Sequence, residues 1–100
     1  MALDQVTAPV IRGGVVAYNI YLNLQLEVDN ASARNDVMAV LPRVRDEINM
    51  DLFSNKIIDQ GGLENLDLKM LKGRLLKAVR RAAPKDTVRA VLIINVAKGG

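Results

Sequence analysis

From Val15 to Val28 every even position is apolar, namely Val16, Tyr18, Ile20, Leu22, Leu24, Leu26 and Val28, while Asn19, Asn23, Gln25 and Glu27 fall on odd ones. A strict period of two belongs to a strand that buries one face, because successive side chains in a strand point to opposite sides. Val15–Val28 is therefore read as the central strand. Val6–Arg12 is a shorter candidate strand joined to it through Gly13-Gly14, a dipeptide that accepts the positive φ angles of a tight hairpin turn. Pro9 has no backbone N–H to give to a ladder, which predicts an edge position for this strand.

After Asp29-Asn30 the period changes. Ala33, Val37, Val40, Leu41, Val44, Ile48 and Leu52 recur at spacings of three and four, the stripe of an amphipathic helix that Ser32 or Asn30 could cap. Pro42 interrupts it and predicts either a kink or two abutting helices. Asp59-Gln60-Gly61-Gly62 ends the helical region. Asp67 is a good cap for a second helix with Leu68, Leu71, Leu75, Val79 and Ala82 on its core face, ending near Ala83-Pro84. In the last segment, Thr87–Ala97, period two puts Val88, Ala90, Leu92, Ile94 and Val96 on the buried face and Val91 and Ile93 on the outward one. The order β-β-α-α-β predicts a two-layer α+β fold, with two helices packed on one face of a small mixed or antiparallel sheet.

Composition narrows the class. The 100 residues suffice for one domain, 1–100, and the chain is 50% hydrophobic and 25% charged, the balance of a folded globular protein. With neither cysteine nor histidine, thiolate chemistry, disulfides and the commonest general base and metal ligand are all missing. The acidic residues are dispersed. Asp46 and Glu47 lie on the first helix away from its apolar stripe, where neither gains the apolar pocket or like-charged neighbour that tunes a catalytic acid. The Gly-Gly pairs match neither the dinucleotide fingerprint nor the phosphate loop. No catalytic residue, metal ligand or cofactor site is nominated. The longest apolar runs fall far short of the roughly 20 residues that span a bilayer.

Charge is distributed unevenly. Residues 1–68 carry five basic and ten acidic side chains, whereas residues 69–100 carry nine basic and one acidic, so a net −5 is followed by a net +8. On a helical wheel of 100° per residue, Lys69, Arg74, Lys77, Arg80 and Arg81 occupy one arc of about 140° opposite the apolar face. Gly73 lies on that arc, where a missing side chain could admit a partner's backbone. These residues suggest a docking surface: the acidic first helix of one copy, through Asp46 and Glu47, would meet the basic second helix of the next, with Val91, Ile93, Ala17 and Tyr21 on the outward sheet face adding apolar area unless the N-terminal segment covers them within the monomer. Such a head-to-tail contact generates a ring or filament. Reversing Arg80 and Arg81 to glutamate is expected to spare the fold and abolish that association. A basic nucleic-acid-binding module is the alternative, disfavoured because Tyr18, Tyr21 and Phe53 are the chain's only aromatics and Tyr18 points into the expected core.

Three segments resemble the FliL family of flagellar basal-body-associated proteins. Leu41-Pro42-Arg43-Val44-Arg45-Asp46-Glu47-Ile48 is similar to the family's proline-containing helix, and Gly62-Leu63-Glu64-Asn65-Leu66 with Leu71-Lys72 and Leu75-Leu76 to its glycine turn and second helix. Val88-Arg89-Ala90-Val91-Leu92-Ile93-Ile94 is similar to its closing strand. The resemblance implies a stomatin-like periplasmic domain that forms homo-oligomers, contacts stator and basal-body proteins, and supports torque generation without catalysis. It also implies an inner-membrane tether contributed by a segment outside this chain.

Overall fold

The computed structural model describes residues 1–99. The chain runs through β1 (Val6–Arg12), β2 (Val15–Val28), α1 (Ala31–Ala39), α2 (Leu41–Ser54), β3 (Ile57–Ile58), a 3-10 turn (Leu63–Asn65), α3 (Leu68–Ala82) and β4 (Val88–Gly99). The fold is α+β, with a curled four-stranded sheet in the order β3-β1-β2-β4. β1, β2 and β4 are antiparallel neighbours and β3 joins β1 in parallel, so the sheet is mixed. At a rise of roughly 3.3 Å per residue the 14 residues of β2 account for the 44 Å length of the molecule.

Each element follows from a local cause. Gly13 and Gly14 take φ of 60° and 81°, the left-handed values a two-residue hairpin turn requires. Asn30 caps α1, its side-chain oxygen accepting from the Ala33 N–H at 2.8 Å, and Asp67 does the same for Met70 at the start of α3 at 3.0 Å. Pro42 splits the first helical stripe in two. It sits in the first turn of α2, where a missing N–H costs no hydrogen bond, and Val40 separates the two helices. The helices cover one face of the sheet, and Ile20, Leu22, Leu24, Leu26, Val37, Val44, Ile48, Leu52, Leu75 and Val79 close the core between the layers.

Three expectations are corrected. First, β1 is not an edge strand, because β3 covers its far end. The prediction from Pro9 nonetheless holds locally, since β3 pairs only with Val10 and Ile11, beyond the proline. Second, the helical region stops at Ser54, and Ile57-Ile58 then leave it as a strand before the glycine turn is reached. Third, period two does not run unbroken along β2 or β4. Ala17 is an extra residue between the pairs Val10–Tyr18 and Ile11–Val16, which turns Val16 out to solvent. In β4, Arg89 and Ile94 are extra residues opposite β2, and each bulge moves the alternation on by one. Between them the phase is reversed. Val91 pairs with Leu26 and Ile93 with Leu24 on the core face, while Ala90 and Leu92 pair with Glu27 and Gln25 on the outer face. Val91 is 2% exposed.

Candidate interaction surface

The basic arc of α3 divides into arginines that are already engaged and lysines that are not. Arg74 reaches across to the end of α2. Its Nε donates to Asp51 Oδ2 at 3.2 Å, and its Nη2 donates to the main-chain oxygen of Asn55, just past the helix end, and to that of Asp51, which also accepts the Asn55 N–H. Asn55 Nδ2 donates to the other Asp51 oxygen at 2.9 Å. The pair is largely withdrawn from water, with side chains 18% and 5% exposed for Arg74 and Asp51. Arg80 Nη2 donates to the Val88 carbonyl at 3.2 Å and so ties α3 to the start of β4. Arg81 lies 3.5 Å from Glu47 of α2.

These contacts give part of the expected docking surface partners within one copy. The acidic first helical region and the basic second one do meet, but within one copy, because β3 and the glycine turn fold α3 back against α2. Arg74 is withdrawn into its pair with Asp51, whereas Arg80 and Arg81 stay exposed while making contacts within the copy. Val91 and Ile93 belong to the core, for the reason the two bulges supply. Lys69, Lys77 and Asp46 remain at the surface, and no ion pair engages them among the described residues. Gly73 faces open space, and a methyl group added there meets nothing within 4 Å.

A second polar cluster, which the pattern of the chain did not reveal, closes the hairpin end. The Tyr18 hydroxyl donates to Asp59 Oδ1 at 2.9 Å, and the Gly62 N–H donates to the same oxygen at 3.1 Å. Arg12 donates to Asp59 Oδ2 through Nε at 2.8 Å and also through Nη2. The Asp59 side chain is 2% exposed. The Arg12 guanidinium and then the Gly62 N–H hold its carboxyl down at about 2, against the opposing effect of burial. Tyr18 is pushed up, first by burial and then by its bond to the Asp59 carboxylate. The signal for this cluster was Tyr18 itself, since a tyrosine on the buried face of a strand needs a partner for its hydroxyl. Arg12 neutralises the carboxylate, so the cluster acts as a latch holding the glycine turn on the hairpin.

Beside the Arg74–Asp51 pair lies a cleft of about 550 Å³, walled mainly by Ile57, Ile58, Leu66, Met70 and Leu71. Its carboxylates are occupied, Asp51 by Arg74 and Asp67 by the helix start it caps. Among the described residues no three acidic side chains converge on a point that could hold a metal ion. No helix among them is long and apolar enough to cross a membrane.

The remaining surface of note is the sheet face away from the helices. Its cross-strand rows read Pro9–Asn19–Gly99, Thr7–Tyr21–Ala97, Asn23–Asn95 and Gln25–Leu92. No residue in these rows is charged, although a quarter of the chain is. Tyr21 lies flat across Gly99, where a Cβ would come within 2.7 Å of its ring, so the glycine makes room for the aromatic. Ile94, the extra residue of its bulge, is 58% exposed beside Asn95. Tyr21 and Ala17 do face outward, as period two predicts for odd positions of β2, and Leu92 and Ile94 take the places expected of Val91 and Ile93.

No family model matches the chain, and no characterised protein matches its sequence.

Proposed function

We propose that this chain is a non-catalytic interaction domain of the FliL type, which self-associates and supports the flagellar stator from the periplasmic side of the inner membrane. One observation carries the reading: the outer sheet face from the Pro9–Asn19–Gly99 row to the Gln25–Leu92 row has no helix over it and no charged side chain, while Asp51, Asp59, Arg12 and Arg74 are engaged in holding the fold. Interface centres are depleted of charge relative to the rest of a protein's surface. The order of elements and the proline-started α2 add support from the resemblance, and Lys69, Lys77 and Asp46 remain available as a polar rim.

The test is molar mass by light scattering across protein concentration, with and without the soluble periplasmic region of a flagellar stator subunit. Mass that rises with concentration, or a complex with the stator region, supports the reading. A monomer that ignores the stator region would sink it. A basic nucleic-acid module is the second reading, carried by the unengaged Lys69 and Lys77. It requires a gel shift with an arbitrary duplex that weakens steeply as salt is raised.

A further inference from the structure

We infer that the uncharged outer face of the sheet, centred on Tyr21, Asn23, Gln25, Leu92 and Asn95, is the surface on which a second copy of this chain docks, face to face about a two-fold axis. The inference rests on the self-association proposed above and replaces its geometry, since a two-fold contact closes at two copies where a head-to-tail one propagates.

Three features select the occupant. The first is electrostatic. Each copy carries a net charge of +3, and this face lets two copies meet without opposing like charges, whereas a nucleic acid or an anionic lipid surface finds no cation on it to bind. The second is hydrogen-bonding chemistry. Asn19, Asn23, Gln25 and Asn95 each present both donors and acceptors. A two-fold axis brings like side chains together, and amides satisfy one another in that arrangement, whereas rows of lysine or aspartate repel. Apolar Leu92 and Ile94 and the Tyr21 ring supply the desolvated contact between the amides.

The third feature is the alternative it removes. β4 is an edge strand and would otherwise extend the sheet by pairing with the β4 of another copy. Its bulges at Arg89 and Ile94 divide the edge into two short regular runs, Ala90–Ile93 and Asn95–Gly99, and bulges are a device that blunts edge pairing. The face is therefore the better surface.

Size sets the strength. Three strands about 4.8 Å apart, followed for some ten residues at about 3.3 Å each, present roughly 450 Å² per copy, or about 900 Å² for a pair. That lies at the low end for specific interfaces, and the curl of the sheet keeps two faces from meeting along their whole length. The dimer is accordingly weak and reversible, and it forms in the micromolar to millimolar range. Salt leaves it unchanged or tightens it, because screening relieves repulsion between the net positive copies.

The experiment is sedimentation equilibrium of the whole chain at low and high salt, repeated for Asn95→Lys and Gln25→Lys, with circular dichroism and thermal melting to establish that both variants fold. Both positions are solvent-exposed on strands, so folding is retained. The expected result is a monomer–dimer equilibrium that high salt does not weaken and that each lysine shifts at least tenfold toward monomer. A dimer or larger assembly unaffected by both lysines, or one dissolved by salt, overturns the face-to-face pairing while leaving self-association through another surface standing. A monomer at every concentration overturns both.

Discussion

The two faces of β2 carry the same number of side chains per length of strand and serve opposite purposes. The even positions Tyr18 to Leu26 are buried beneath helices, and the buried cluster between the layers is aliphatic apart from Tyr18. The odd positions Asn19 to Gln25 are amides and a tyrosine with no layer above them. Apolar burial without direction holds the first face together, at about 25 cal/mol per Å² removed from water. The second face has directional groups and no charge, and it contributes little to the stability of one copy. One strand thus provides the fold's main anchor on one side and its most open surface on the other.

Neighbouring residues on β2 offer the sharpest way to break that comparison. Leu24→Ala is expected to destabilise the chain by about 2 to 5 kcal/mol in urea unfolding, the cost of a cavity in a closed core. Gln25→Ala should change it by less than about 0.5 kcal/mol. Equal effects would mean that the outer face is covered in the monomer.

The helical layer offers the next contrast, because its arginines fasten rather than recruit. Asp51→Ala strands the Arg74 guanidinium beside the cleft and should cost about 3 kcal/mol. The paired change Asp51→Leu with Arg74→Met should recover much of that loss, as apolar replacement of a withdrawn ion pair often does. Arg80→Glu with Arg81→Glu should lower stability, since it removes the tie to the Val88 carbonyl and sets a carboxylate at position 81 against Glu47. A variant that melts like the parent would mean that these two contacts do not hold the fold.

Acid titration separates the latch from both faces. The folded value of Asp59, about 2, lies below the ordinary 3.8, so its carboxylate stabilises the fold above about pH 4 and that contribution is lost as pH falls toward 2. In Asp59→Asn the melting temperature should be lower at neutral pH and should fall less steeply between those limits. Tyr18 runs the other way: its raised value favours the neutral phenol, so its contribution is present below about pH 10 and lost in alkali.

The smallest effect is expected at Gly73. It sits mid-helix over open space, so Gly73→Ala should add about 0.5 to 1 kcal/mol through helix propensity alone and leave molar mass unchanged. Lost assembly in this variant would place a partner's backbone against α3 after all.

Much of this architecture was legible along the chain because it is local. Gly13-Gly14, Asn30, Pro42 and Asp67 act on backbone groups within a few residues of themselves, and their roles as turn, cap, break and cap follow from their own chemistry. The buried run from Tyr18 to Leu26 was legible too, since a strand's alternation needs no partner to be seen. What the periodicity misjudged lies where two segments distant in sequence share one constraint. The bulges at Ala17, Arg89 and Ile94 leave no mark in composition, for they exist only as a mismatch in length between paired strands, and each one inverts every side chain beyond it.

The candidate surface illustrates the same division. The amino-acid sequence by itself determined that this chain folds as α+β around a long, one-sided strand, that it carries acid in its first two thirds and base in its last, and that it lacks histidine and cysteine. Only the tertiary structure decided that Asp51 and Glu47 meet Arg74 and Arg81 within one copy and that Val91 and Ile93 face inward. It also decided that the uncharged residues of three strands line up as one bare face. The physical reason is that charge and apolarity belong to single residues, while facing, pairing and cover belong to the register between strands and the packing of helices upon them.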